Sequence, residues 1–301
     1  MFRSILVPLD GSAFAEQALP LATDVACKAG AALNLVRVHM LYALTEPACA
    51  WLPFDPSADA ALKQQEQAYL GAVSQRLTCP KKPIASCLAF GMEADAILEQ
   101  AQASKVDLIV MTTHGRGPAS RFFLGSVADE VVRRAPVPVV LLRPHDPPEE
   151  PAAPPSITKV LVPLDGSALA EEVLGPAATL ARLLGARCTL LRVVESRLHP
   201  PAAPHAGELP PDPRVGEARS YLRGVGEKLN GQSIRSDIQV VVSPHSASAI
   251  LEAAQTEPGT LIALATHGRG GFRRMLLGSV ADKLIRAAAG PVLVYRPTTP
   301  A

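Results

Sequence analysis

The sequence predicts two tandem doubly wound α/β domains, each a five-stranded, mainly parallel sheet with helices on both faces. Three observations predict this. The chain repeats itself once along its length, short apolar runs alternate with segments of helical periodicity, and 301 residues suit two domains. Residues 6–13 (LVPLDGSA) recur unchanged at 161–168, and residues 96–99 recur at 249–252. Residues 113–117 (THGRG) recur at 266–270, and 124–129 (LGSVAD) at 277–282. The offset is 155 at the first block and 153 at the other three. Such collinearity signals a duplicated domain, since a solenoid would repeat every ~20–50 residues. The copies are assigned to 1–146 and 157–301. Between them, 147–156 is a proline-rich linker whose missing amide donors favour extended backbone.

In the first copy, residues 4–9 read as a buried strand closed by Asp10-Gly11. Ser12 caps the following helix through its hydroxyl and Glu16 complements its dipole. Ala18, Leu19, Leu21, Ala22 and Val25 then recur at helical spacing up to Gly30. Further strands are predicted at 33–39, 84–90, 107–112 and 137–143, and helices at 64–77, 94–103 and 126–134. The proline-rich stretch 198–214 reads as a loop in the second domain, with 46–59 its counterpart. Apolar strands alternating with helices give a parallel sheet covered on both faces, and right-handed crossovers make it doubly wound.

Composition narrows the function. Lys+Arg is 29 against Asp+Glu 28, a net charge of +1, so no excess charge is available to grip a nucleic acid by counterion release. Aromatic residues are 4%, too few for base-stacking platforms. The apolar runs are far too short to span a bilayer, and Pro8 and Asp10 interrupt the N-terminus before a signal-peptide core forms. The five cysteines, Cys27, Cys49, Cys79, Cys87 and Cys188, form no CxxC pair and read as reduced apolar thiols. The expected location is the cytoplasm, with neither nucleic acid nor membrane as partner.

Ligands of open α/β sheets bind at the carboxyl ends of the strands, near the switch in strand order. Two motifs per copy fall there. One is Pro8-Leu9-Asp10 with Gly11-Ser12, repeated as Pro163-Leu164-Asp165 with Gly166-Ser167. The other follows strand four: Thr112, Thr113, His114, Gly115, Arg116 and Gly117, then Gly125-Ser126-Val127. Its second copy runs Ala265, Thr266, His267, Gly268, Arg269 and Gly270, then Gly278-Ser279-Val280. Glycines admit a close backbone approach to a bulky anion, and the helix start offers unpaired N–H groups to phosphate. Asp10 would accept hydrogen bonds from a ribose or a base. Each piece also has a structural reading, as turn, cap or solvated arginine. No Gly-Lys dipeptide exists, so there is no Walker A loop, and Gly115-Arg-Gly117 lacks the third glycine of a dinucleotide fingerprint. His114 has no second His, Cys or carboxylate nearby in sequence, so no catalytic or metal set is assigned.

The run VPLDGS, then THGRG, then Gly-Ser, Val-Ala-Asp and a terminal Pro-Val strand resembles the universal stress protein family, in both halves. The resemblance implies a tandem member whose Gly-x-x-Gly-x9-Gly-Ser/Thr loop holds the phosphates of ATP, alone or with Mg. Gly115 with Gly125-Ser126, and Gly268 with Gly278-Ser279, match that pattern, and Thr112 and Ala265 stand at its leading glycine. The resemblance also assigns Asp10 and Val38, and Asp165 and Val193, to the ribose and adenine. It implies pairing through the fifth strands, within one chain as a pseudo-dimer or between chains as a homodimer. Three functions stay open: an ATP-binding stress-response or signalling module, a member acting only through an unknown protein partner, and a weak ATP hydrolase. The second site is expected to hold ATP more securely. Ala265 is smaller than the β-branched Thr112, and Pro118 removes a donor that Gly271 keeps, although Pro244 replaces Gly91 at the rim.

Overall fold

The structure is a computed structural model describing residues 2–40, 55–78, 82–114, 124–145, 154–196, 212–231, 234–266 and 277–297. The chain divides into two compact units, Met1–Pro155 and Ser156–Ala301. In unit 1 the elements run β1 (Ser4–Pro8), α1 (Ala13–Glu16), α2 (Leu19–Ala29), β2 (Ala32–His39) and α3 (Pro56–Arg76). They continue β3 (Ile84–Phe90), α4 (Glu93–Ala103), β4 (Leu108–Thr112), α5 (Ser126–Arg134) and β5 (Val139–Leu142). The five strands are parallel, in the order β3-β2-β1-β4-β5. Unit 2 repeats this with β6 (Lys159–Pro163), α6 (Ala168–Glu171), α7 (Leu174–Leu184), β7 (Arg187–Glu195) and α8 (Pro213–Asn230). Then come β8 (Ser236–Ser243), α9 (Ser246–Gln255), β9 (Thr260–Ala265), α10 (Ser279–Ala287) and β10 (Val292–Tyr295), in the parallel order β8-β7-β6-β9-β10.

The central strands show why the sheet is parallel. Ile5, Leu6 and Val7 of β1 are fully buried, as are Leu108, Ile109 and Val110 of β4, so both faces of each strand are covered. The edge strand β3 instead keeps several exposed residues. Truncating Leu6 to alanine in such a core costs about 2–5 kcal/mol.

Four boundaries differ from the periodicity, each for a local reason. The single helix expected after Ser12 is two helices, because Pro20 and Pro176 lack the N–H that would bond to the carbonyls of residues 16 and 172. Helix α3 begins at Pro56, well before residue 64, because the Asp55 carboxylate caps it, accepting from the Ser57 N–H at 2.9 Å and the Ala58 N–H at 3.4 Å. Its buried residues are only Glu66, Leu70 and Val73, so apolar periodicity does not mark its first turns. Residues 213 and 214, assigned to a loop, are the first of α8, which Asp212 caps. The rest of that stretch up to 211, residues 46–54 of its counterpart, and most of the linker lie outside the described residues. The fifth strands begin two residues late. Pro138 and Pro291 use only their carbonyls there, accepting from Ile109 and Ile262 at 3.0 Å.

Candidate functional site

Strand β1 lies between β2 and β4, and the chain leaves it toward β2 and returns on the other side in β4. The carboxyl ends of β1 and β4 therefore flank the switch in strand order, and the loops after them diverge. Pro8 ends β1, and the N–H of buried Leu9 donates to the Val36 carbonyl at 2.8 Å. The chain then turns sharply. Asp10 Oδ1 accepts from the Ser12 N–H at 2.9 Å and from its hydroxyl at 2.6 Å, while that hydroxyl accepts from the Ala15 N–H at 3.1 Å and caps α1. Gly11 sits at φ +85°, and a Cβ there would overlap the Arg37 guanidinium lying across the turn. Unit 2 builds the same turn. Leu164 donates to Leu191 at 2.8 Å, and Asp165 accepts from the Ser167 N–H at 2.9 Å and hydroxyl at 2.6 Å.

At the end of β4 the backbone doubles against the start of α5. The Gly125 N–H donates to the Thr113 carbonyl at 2.8 Å, and a Cβ on Gly125 would stand 3.0 Å from that same oxygen. In unit 2 Gly278 donates to Thr266 at 3.0 Å, and its Cβ would stand 3.1 Å from the Thr266 carbonyl. At both glycines the close approach of two backbones leaves little room for a side chain. Each is also the N-cap, so neither α5 nor α10 receives a side-chain cap on its first-turn N–H groups. An N-terminus of this kind attracts an anion.

The remaining predicted residues fall as follows. Thr112 ends β4, and its hydroxyl donates to the His114 carbonyl at 3.0 Å, so the β-branched residue braces the loop start. Thr113 Oγ1 lies 3.0 Å from His114 Nδ1. Ala265 ends β9 and offers no such brace. Val38 pairs with Ala89 and Val193 with Val241, both half-buried near the ends of β2 and β7. Ser126, Ser279 and Val280 are exposed and Val127 half-buried in the first turns of α5 and α10. Gly115, Arg116, Gly117, His267, Gly268, Arg269 and Gly270 lie outside the described residues.

The universal stress protein family model matches residues 1–143 and again 156–296. The chain belongs to the universal stress protein family. It is 28% identical over 309 residues to a universal stress protein of Mycolicibacterium smegmatis, covering 97% of both chains. It is 35% identical over 144 residues to one of Thermus aquaticus, covering 48% of this chain and all of that one. The fold is similar to that of a universal stress protein from Archaeoglobus fulgidus, with a TM-score of 0.73 at 20% identity, covering 97% of this chain and 98% of the other.

Behind the turn of this universal stress protein lies a polar cluster that short-motif reading misses. The Arg37 guanidinium stacks 5.2 Å from the Tyr69 ring, and the Tyr69 hydroxyl donates to Glu16 at 2.9 Å. In unit 2 Arg192 stacks 5.6 Å from Tyr221, whose hydroxyl donates to Glu171 at 2.9 Å. Burial first, and the neighbouring glutamate second, push both phenols well above their usual range, so they stay neutral donors. The signal was present: each of the three residues has its counterpart at the copy offset, 155 for Arg and Glu and 152 for Tyr.

Unit 1 adds a second set that unit 2 lacks. His39, 2% exposed at the end of β2, has Nδ1 2.7 Å from Glu66 and Nε2 2.8 Å from Asp59. The buried imidazole thus bridges the two carboxyl groups through its two ring nitrogens. Arg37 Nε lies 3.1 Å from Glu66, close enough for an ion pair but outside hydrogen-bond alignment. Unit 2 has Val194 and Ala218 at the positions of His39 and Glu66. Among the described residues, no group of three or more His, Cys, Asp or Glu is arranged to hold a metal, and no helix is long and apolar enough to cross a membrane.

Proposed function

We propose that this universal stress protein binds an adenine nucleotide, ATP in the first instance, at the carboxyl end of each sheet and acts as a stress-response or signalling module. One observation carries the reading. At the switch point of both units, an Asp-Gly-Ser turn after the first strand sits beside a glycine-opened helix whose first-turn N–H groups have no side-chain cap. Uncapped N–H groups and the helix dipole suit phosphate, and the strand-end carboxylate suits ribose or base. Asp10 and Asp165 each engage one oxygen in the turn, so each carboxylate is held rigidly where a ligand would meet it.

In this reading Ser126, Val127, Ser279 and Val280 meet phosphate, with the glycine loops beside them. Asp10, Val38, Asp165 and Val193 meet ribose and adenine. Mg, where present, would neutralise phosphate charge on the nucleotide. Because a side chain at Gly125 or Gly278 presses on a backbone carbonyl, valine there disturbs folding as well as binding. Cleaner probes are Asp10→Asn and Asp165→Asn, which keep the side-chain carbonyl oxygen for the turn. Calorimetric titration of the full chain should show saturable ATP binding, weakened by each change by about 1.5–3 kcal/mol at its own site. Unchanged binding in the double variant would remove the aspartates from the site.

A further inference from the structure

Unit 2 holds a cleft of about 400 Å³ at this same end of its sheet, between the end of β7 and the starts of α9 and α10. Its lining includes Glu195, His245, Ser246, Ser248, Ser279 and Lys283. Ser279 is the first residue of α10, and Lys283 lies four residues on, hence on the same face one turn higher. Glu195 stands two residues beyond Val193 and accepts from the Ser246 hydroxyl at 2.9 Å. The cleft therefore carries an acid at the strand end and a cation beside the phosphate-type helix start.

Lys283 has no local reason for its charge. It is exposed at the middle of α10, and among the described residues it has no ion-pair partner. Unit 1 has the opposite pattern at the corresponding positions. Met40 replaces Glu195, Met92 replaces His245, Glu93 and Asp95 replace Ser246 and Ser248, and Glu130 replaces Lys283. There Arg134 pairs with both Glu130 and Asp95, tying α5 to α4. Unit 2 has Ala287 at the position of Arg134, so no such tie exists.

We infer that Lys283 makes unit 2 the site selective for nucleotides with more than one phosphate, whereas the Glu130–Arg134–Asp95 tie denies that selectivity to unit 1. The inference rests on the nucleotide reading above. A cation one turn above Ser279 meets charge beyond the first phosphate, and a carboxylate in its place repels it. Glu195, at the end of β7 in the same lining, suits the hydroxyls of a ribose. This extends the expected preference for the second site to residues outside the glycine loop.

The test is calorimetric titration of the full chain with ATP, ADP and AMP at low salt, where an exposed cation is least screened. It compares wild type, Lys283→Met, Lys283→Glu, and Glu130→Lys with Arg134→Ala. Lys283→Glu should weaken ATP at one of two sites by about tenfold or more, with AMP changed less than about threefold. Lys283→Met should fall between. Glu130→Lys with Arg134→Ala should tighten ATP at the other site without tightening AMP. Equal losses of ATP and AMP, or no change in either, with circular dichroism melts intact, would overturn the inference and leave the nucleotide reading standing. A wild-type chain binding none of the three overturns both.

Discussion

The His39 cluster offers a sharp test of how unit 1 is held together. Replacing His39 by valine, the residue unit 2 has there, removes the donor between Glu66 and Asp59. Asp59 keeps Lys63 at 2.7 Å. Glu66 is 5% exposed and keeps only the poorly aligned Arg37 contact at 3.1 Å. Leaving a buried carboxyl group without its hydrogen-bond partner costs up to about 3 kcal/mol, the loss expected here. For a unit of this size that lowers the melting temperature by about 6–12 °C. Adding Glu66→Ala, which completes the unit 2 pattern of Val194 and Ala218, removes the stranded carboxyl group. The double variant should then be more stable than His39→Val alone, with a coupling of about 2 kcal/mol. Urea unfolding and calorimetry on the full chain read both numbers. A single-variant loss below about 1 kcal/mol, or strictly additive changes, would refute the account of His39 as the bridge between Glu66 and Asp59.

Acid should loosen the same region. Asp59 is held below its usual value of 3.8 by Lys63 first and His39 second, so its stabilisation is complete above that value and lost as pH falls through its lower folded value. Asp59→Asn should therefore flatten the acid limb of a stability–pH curve below about pH 4, and an unchanged limb would count against the bridge. Tyr69→Phe and Tyr221→Phe each remove a hydrogen bond to a glutamate and should each cost about 1.5–3 kcal/mol in denaturant unfolding, matching losses being the sign of a repeated device. The Cys188 thiol is 1% exposed and pushed up by burial to about 11, so it should escape a disulfide reagent at pH 8 until the chain unfolds. Peptide mapping that finds Cys188 labelled as fast as Cys27 would contradict its burial.

Most of the fold was legible because buried parallel strands are short apolar runs, and β1, β2 and β4 fall within a residue of where those runs place them. Helix α5 matches its prediction throughout, since Gly125-Ser126 opens it and its apolar face repeats cleanly. The apolar pattern predicts α3 too short because its first turns are exposed and its central buried residue, Glu66, is not apolar. The site was legible as two motifs at strand ends, but the reasons behind them were not. Gly125 and Gly278 suggest room for phosphate, yet the nearest neighbour of their missing side chains is a carbonyl of the preceding strand end. Arg37, Tyr69 and Glu16 are far apart in sequence and meet only when α3 packs on β2, so no local spacing announces them. The Lys283 contrast emerges only when the copies are aligned residue by residue through the helices.

The central claim is that this chain holds an adenine nucleotide at the carboxyl ends of its strands. The most direct test is equilibrium dialysis of the purified full-length protein against labelled ATP, with unlabelled ATP, ADP and AMP as competitors. Saturable binding that unlabelled ATP displaces, and that Asp10→Asn combined with Asp165→Asn weakens, is the predicted result. No retention of label above that of a non-binding control protein would contradict the account.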